Sequence, residues 1–326
     1  MSQSTIVKPQ PDALRTRTPA ASALAPRDLP DLPERITRAA SRQAYYTVRF
    51  LADRERQRDA YRAYAYFRWV DDSLDQGDWE RPTRLAFVAR QLALVERGYQ
   101  GAAHGDYLGD WPADLTAEEH MLIDLIRSDH AEDSGLRSYI HNMMAVMAFD
   151  ADRRDKVISE RELEEYALRL ATAVTDALHH FINHTRTPPP SPARYLPAMG
   201  AHITHMLRDT WEDVAMGYYN VPGELLAASG IGPADITSAP YCAWVKSRVR
   251  LARAYFASGA DYLAQVDGLR CRLAGYAYMA RFIGVLDAIE REDYLLRPAY
   301  PERERLGYGL RMAGSACANA VLRRAW

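Results

Sequence analysis

From about Leu32 to the end of the chain, apolar residues recur three and four positions apart, and alternating β-branched runs bounded by turn residues are nearly absent. That pattern restricts the chain to an all-α fold, a helical bundle. The spacing predicts helices over 33–52, 54–75, 80–98, 116–128, 132–154, 160–185, 192–217, 222–229, 233–237, 241–264, 269–291 and 302–325. Thr116 with Glu119, and Ser159 with Glu162, are capping-box signatures that set two of the starts. The run Pro188-Pro189-Pro190-Ser191-Pro192 cannot be helical, yet helix precedes and follows it, so it reads as a loop inside one bundle. Residues 1–30, rich in Pro, Ser, Thr, Ala and Arg without helical period, read as a flexible leader, and 31–326 as a single domain. Asp12, Pro9 and Pro11 count against an organelle transit peptide.

Composition excludes more than it assigns. Of 326 residues 48% are hydrophobic, enough for a sizeable core, while 41 basic residues against 43 acidic ones leave a formal charge of −2 and no general attraction for nucleic acid. Three cysteines, Cys242, Cys271 and Cys317, match neither zinc-ribbon nor CxxC spacing, which makes a reduced cytoplasm the natural compartment. No apolar run approaches the roughly 18 residues that cross a bilayer. Peripheral membrane contact stays open, because "GLRMAGSACANAVLRRAW" sets basic residues beside apolar ones, although an ordinary docking helix describes it better.

The chemistry lies in two acidic segments. Asp71 and Asp75 in "RWVDDSLDQG", and Asp209 and Asp213 in "LRDTWEDVAMG", stand four residues apart, which on a helix brings side chains back to within about 40° of one another. Tyr64 and Arg68 share the face of Asp71, and His202 and His205 that of Asp209 and Asp213. Tyr66, Phe67, Trp69 and Val70 around one pair, and Met206, Leu207 and Trp211 around the other, make both segments too apolar for free surface helices. Buried carboxylates require cations, and paired carboxylates on two helices suit Mg²⁺, a hard ion that takes oxygen ligands and retains waters or phosphates. A di-iron bundle would need Glu-x-x-His pairs, which are absent. His179, His180 and His184 lack an acidic or thiol partner nearby in sequence and read as polar or core histidines rather than a zinc site.

At these residues the chain resembles the squalene/phytoene synthase family, head-to-head members of the class I isoprenoid synthases, over about Ser41 to Arg305. "YAYFRWVDDSLD" is similar to the family's first aspartate-rich motif, matching at Tyr64, Arg68, Asp71, Asp72 and Asp75. "LRDTWEDVAMGYYNVP" is similar to the second, matching at Arg208, Asp209, Glu212, Asp213, Gly217 and Pro222. Asp150 in "MAFD", Tyr166, Ala171 and "GVLDAIEREDY" also match. The resemblance implies a helical bundle around a central cavity, roofed by two acidic helices whose Mg²⁺ ions stabilise the diphosphate of an allylic prenyl diphosphate as it leaves.

Carried over position by position, departures included, it assigns metal binding to Asp71, Asp72, Asp75, Asp209, Glu212 and Asp213. Catalytic work falls to Tyr64, Arg68, Tyr166 and His205, and substrate contacts to Arg42, Arg68, His202, Arg208, Thr172 and Phe282. The departures sit on chemistry-bearing positions. His202 and His205 replace a Gln and an Asn; Arg42, Gln43 and Ala44 replace a serine-rich diphosphate contact; Thr172 and Thr175 replace two glycines. Phe282 replaces a tyrosine, and Gly217-Tyr218-Tyr219-Asn220 stands where the family has Gly-Arg-x-Tyr. The expected activity is head-to-head condensation of two prenyl diphosphates. The alternative is a class I terpene synthase that cyclises one prenyl diphosphate in a pocket narrowed by Thr172, Thr175, Trp211 and Phe282. A non-catalytic assembly factor fits less well, since the acidic residues are all present. No Gly-rich strand–turn–helix marks an NADPH domain, so an NADPH requirement stays open.

Overall fold

Ser41 divides what the periodicity joins. In the computed structural model, which describes residues 31–75, 79–103, 111–182, 186 and 189–300, the helix expected over 33–52 is two: α1 (Leu32–Ala40) and α2 (Arg42–Leu51). Ser41 is extended, with φ −151° and ψ 104°, and its hydroxyl accepts the Ala44 N–H at 3.2 Å, so it caps α2. A 3-10 turn at Arg54–Arg56 leads into α3 (Gln57–Asp75), followed by α4 (Arg81–Ala103), α5 (Ala117–Arg127), α6 (Gly135–Arg153) and α7 (Glu160–Phe181). Then come α8 (Leu196–Ala215), the short α9 (Gly223–Ser229), α10 (Ala239–Gln265) and α11 (Leu269–Arg291). The fold is all-α, and among the described residues there is no strand.

Both capping boxes form, with Thr116 and Glu119 opening α5 and Ser159 and Glu162 opening α7. The helix expected over 233–237 is instead a pair of turns, where the Asp235 carboxylate accepts the Gly232 N–H at 2.7 Å. Pro192 starts a 3-10 turn that feeds α8. The leader, His184, Cys317 and the helix expected over 302–325 lie outside the described residues.

The helices bury two cores. One gathers α3 to α6, with Tyr66, Val70, Leu122, Leu125, Ile140 and Met144 almost fully enclosed. The other gathers α7, α8, α10 and α11 around Leu207, Val245, Val249, Tyr276 and Leu286. Helix α7 joins the halves, packing on α6 from one and α8 from the other. So α3 and α8, the two acidic helices, belong to opposite halves. Among the described residues no helix is long and apolar enough to cross a membrane.

Candidate active site at the seam between the two halves

Helix α8 ends where its sequence requires. Gly217 has φ +85°, and a Cβ there would fall 2.1 Å from Asp155 Oδ1, so only glycine fits the turn. The chain then runs back beside the end of α6: Asp155 N–H donates to Gly217 O at 2.7 Å, and Gly223 N–H to Ile158 O at 2.8 Å. This turn carries Tyr218 and Asn220 to Arg153, the last residue of α6.

A polar chain results that spans the seam. Tyr166 on α7 donates its hydroxyl to Asp150 Oδ2 at 3.0 Å, and Arg153 Nε donates to Asp150 Oδ1 at 2.6 Å. A terminal nitrogen of Arg153 reaches Asn220 Oδ1 at 2.9 Å, and the Asn220 amide donates to Asp213 Oδ2 at 2.8 Å. Asp150 lies within electrostatic reach of Asp71 on α3 and of Asp213 on α8. Burial first, then the neighbouring Asp75, raises the Asp71 pKa to about 7; burial and Asp209 raise Asp213 to about 8. Those shifts describe an excess of negative charge in a partly enclosed space.

Asp71 is 45% accessible and His205 52%, yet burial is the largest influence on both. Both side chains are therefore open to solvent and yet crowded by protein, as on the wall of a cleft. Tyr64 belongs to the same wall: burial raises its pKa, while a hydrogen bond with Ser41 and the charge of Arg68 oppose the rise. One residue before Arg42, Gln43 and Ala44, the Ser41 hydroxyl that caps α2 also bonds Tyr64, and Arg42 itself is exposed.

The arginines are already engaged. Arg68, 42% accessible, grips Asp72 through two nitrogens and reaches Asp71 Oδ2 at 3.3 Å. Asp72 thus faces a guanidinium, with Asp71 at its edge. Arg208 makes a two-point contact with Asp209, and His205 Nε2 lies 2.9 Å from the same carboxylate. Burial, assisted by Arg208 and Arg281, lowers the His205 pKa despite Asp209, which makes the imidazole neutral and an Nε2–H donor. Asp209 stays well below the usual carboxylate range; burial is the largest single influence and opposes this, but Arg208 and His205 together outweigh it. His202 is buried against Tyr166, ring centres 5.1 Å apart, and burial pushes its pKa down to about 3. Glu212 is exposed beside Asp213.

Next to His205, α11 contributes aromatic side chains that pack into the second core. The Phe282 ring lies 6.3 Å from His205 and 5.3 Å from Tyr278, and the Arg281 guanidinium sits 5.4 Å from it. Thr172 turns its hydroxyl back to Leu168 O at 2.8 Å, and Thr175 is buried. Trp211 is exposed, and its Nε1–H donates to Leu296 O at 3.0 Å, tying α8 to the segment after α11. Away from this site, His179 contacts Tyr262 and Cys271, and His180 contacts Arg56, as side chains of the structural core. Sequence reasoning did not single out Ser41, Arg153 or Arg281 for the site, and it met Asn220 only as a departure from the family's Gly-Arg-x-Tyr; the Arg153–Asn220 contact joins positions remote in the chain.

A squalene/phytoene synthase family model matches residues 37–306. No curated protein matches the chain by sequence. Among solved structures, a dehydrosqualene synthase crystallised with a ligand superposes with a TM-score of 0.66 at 18% identity, covering 90% of this chain and 96% of its own. The squalene synthase HpnC from Alicyclobacillus acidocaldarius superposes with a TM-score of 0.61 at 17% identity, covering 82% and 95%. Fold and matched residues together place the chain in the squalene/phytoene synthase family, as a prenyltransferase of that type.

Proposed function

We propose that the chain is a Mg²⁺-dependent synthase that ionises allylic prenyl diphosphates and joins two of them head to head, giving a squalene- or phytoene-type hydrocarbon. The observation that carries this reading is that Asp150 lies within electrostatic reach of both Asp71 and Asp213, carboxylates of opposite halves. Among the described residues no three His, Cys, Asp or Glu side chains close into a ready metal cage. Mg²⁺ seldom needs one, since it is usually held by one or two carboxylates with waters and substrate phosphates. The all-oxygen donors and the raised pKa values of Asp71 and Asp213 suit such an ion, which Asp71, Asp75, Asp209 and Asp213 would hold. When bound, Mg²⁺ would neutralise the diphosphate and stabilise it as a leaving group.

The remaining work belongs to the chain's own side chains. Arg68, accessible on the cleft wall, can exchange Asp72 for phosphate oxygens, which a guanidinium also binds with two nitrogens. Phe282 and Tyr278 present aromatic faces that keep water from an allylic cation and stabilise its charge. Neutral His205, donating through Nε2 to Asp209, keeps a lone pair on Nδ1 that can take the proton ending the cation's rearrangement. The test is incubation of the purified protein with Mg²⁺ and, separately, C10, C15 and C20 prenyl diphosphates, with and without NADPH, followed by mass analysis of extracted hydrocarbons. A C30 or C40 product supports condensation, and a requirement for NADPH separates squalene-type from phytoene-type chemistry. A cyclic product of one substrate's length would assign cyclisation instead.

A further inference from the structure

Arg153 differs from the other arginines of the site. Its side chain is only 7% accessible, and its Nε and one terminal nitrogen are committed to Asp150 and Asn220. The guanidinium carbon lies 4.8 Å from the Tyr166 ring centre, 5.2 Å from that of Tyr218 and 5.5 Å from that of Phe149. Rings cover its faces and hydrogen bonds fix its edge, so it cannot swing toward a substrate phosphate as Arg68 can. A guanidinium is permanently charged and weakly hydrated, which suits it to a dry position between carboxylates. Through Asn220, whose amide donates to Asp213 Oδ2 at 2.8 Å, its charge is linked to Asp213.

Resting on the Mg²⁺-dependent reading above, we infer that Arg153 is a resident cation of the acidic site: fixed by Asp150 and Asn220, it takes the place of one divalent ion between α6 and α8. Arg153 is then a positioning residue that sets how many metal ions the site accepts. Asp150 and Asp213 are partly neutralised before any metal arrives, so the side of Asp213 that faces α6 takes no ion, and Asp213 shares one only on the side it has in common with Asp209.

The number of bound metal ions tests this. Mn²⁺ is titrated into the full chain with saturating inorganic diphosphate, and bound metal is counted by electron paramagnetic resonance in wild type, Arg153→Gln and Arg153→Lys. Arg153→Gln is expected to bind one Mn²⁺ more per chain than wild type, and Arg153→Lys, which keeps the charge, the same number as wild type. An equal number and affinity in wild type and Arg153→Gln would overturn the inference. Should Arg153→Gln fail to fold, Asn220→Ala replaces it, because it frees Asp213 while leaving the Arg153–Asp150 pair. Mn²⁺ affinity should then rise by about tenfold, the scale on which groups behind metal ligands act, and unchanged affinity would overturn the inference. If wild type binds no Mn²⁺ with diphosphate, the metal-dependent reading itself fails, a result distinct from the other outcomes.

Discussion

Asp71 and Asp209 occupy matching places on the two acidic helices but differ in charge balance. Burial and Asp75 hold Asp71 partly protonated near neutrality, whereas Arg208 keeps Asp209 ionised. Replacing either by asparagine should remove a cation ligand and lower kcat/KM by at least about a thousandfold, the order expected when a transition-state charge loses its stabiliser. Circular dichroism should show an intact fold in both. The two variants should differ in metal-free stability at pH 8. Asp71→Asn relieves an unfavourable ionised carboxylate, so its Tm should equal or exceed that of wild type. Asp209→Asn weakens a two-point ion pair, so its Tm should fall. Tyr166→Phe removes the hydroxyl from Asp150 and should cost about 1 kcal/mol in urea unfolding, the usual net worth of one hydrogen bond.

At the level of elements, the turn after α8 connects backbone geometry to the site. Gly217→Ala places a Cβ against Asp155 and forces a left-handed conformation, at a cost of about 1–3 kcal/mol. The displaced turn should carry Asn220 away from Arg153, so activity should fall more than the stability loss explains; steady-state kinetics on folded protein measures this. Ser159→Ala should cost only about 1 kcal/mol by removing the cap of α7, without changing turnover per folded molecule. Most helices were legible from the sequence because each buries one face, so their 3.6-residue period is strong. Ser41 was not, since the apolar period continues across the break and only the capping hydroxyl marks it. The helix expected over 233–237 failed because one turn of apolar period cannot be told from a bend held by Asp235.

Across the whole molecule, the acidic pairs were legible because a four-residue spacing is a local property. Their meeting at the seam was not, since it depends on how α7 brings two cores together. Arg153 and Asn220 are 67 positions apart, and no periodic pattern links them. Asp150 was visible only through the family resemblance, and the structure shows it bonded to Tyr166 and Arg153. In a molecule of this form each half carries carboxylates that destabilise it alone, and a bound cation should stabilise the assembly as a unit.

That expectation has a definite pH dependence. Asp71, at about 7, and Asp213, at about 8, lie above the ordinary carboxylate value, so the folded chain retains protons that the unfolded chain has released. Stability without metal should therefore fall as pH rises from about 4 to about 8 on account of these two groups. A divalent ion relieves that cost only once the groups are ionised. The most direct measurement is the Tm shift produced by Mg²⁺ with inorganic diphosphate at pH 6 and pH 8.5, in wild type, Asp71→Asn and Asp213→Asn. The account predicts a shift several degrees larger at pH 8.5 in wild type, on the order expected from ligand-linked stabilisation, and a smaller difference between the two pH values in each variant, although the altered residues lie in opposite halves. A shift in wild type that does not depend on pH, or one that a single variant leaves unchanged, would contradict a cation site shared across the seam.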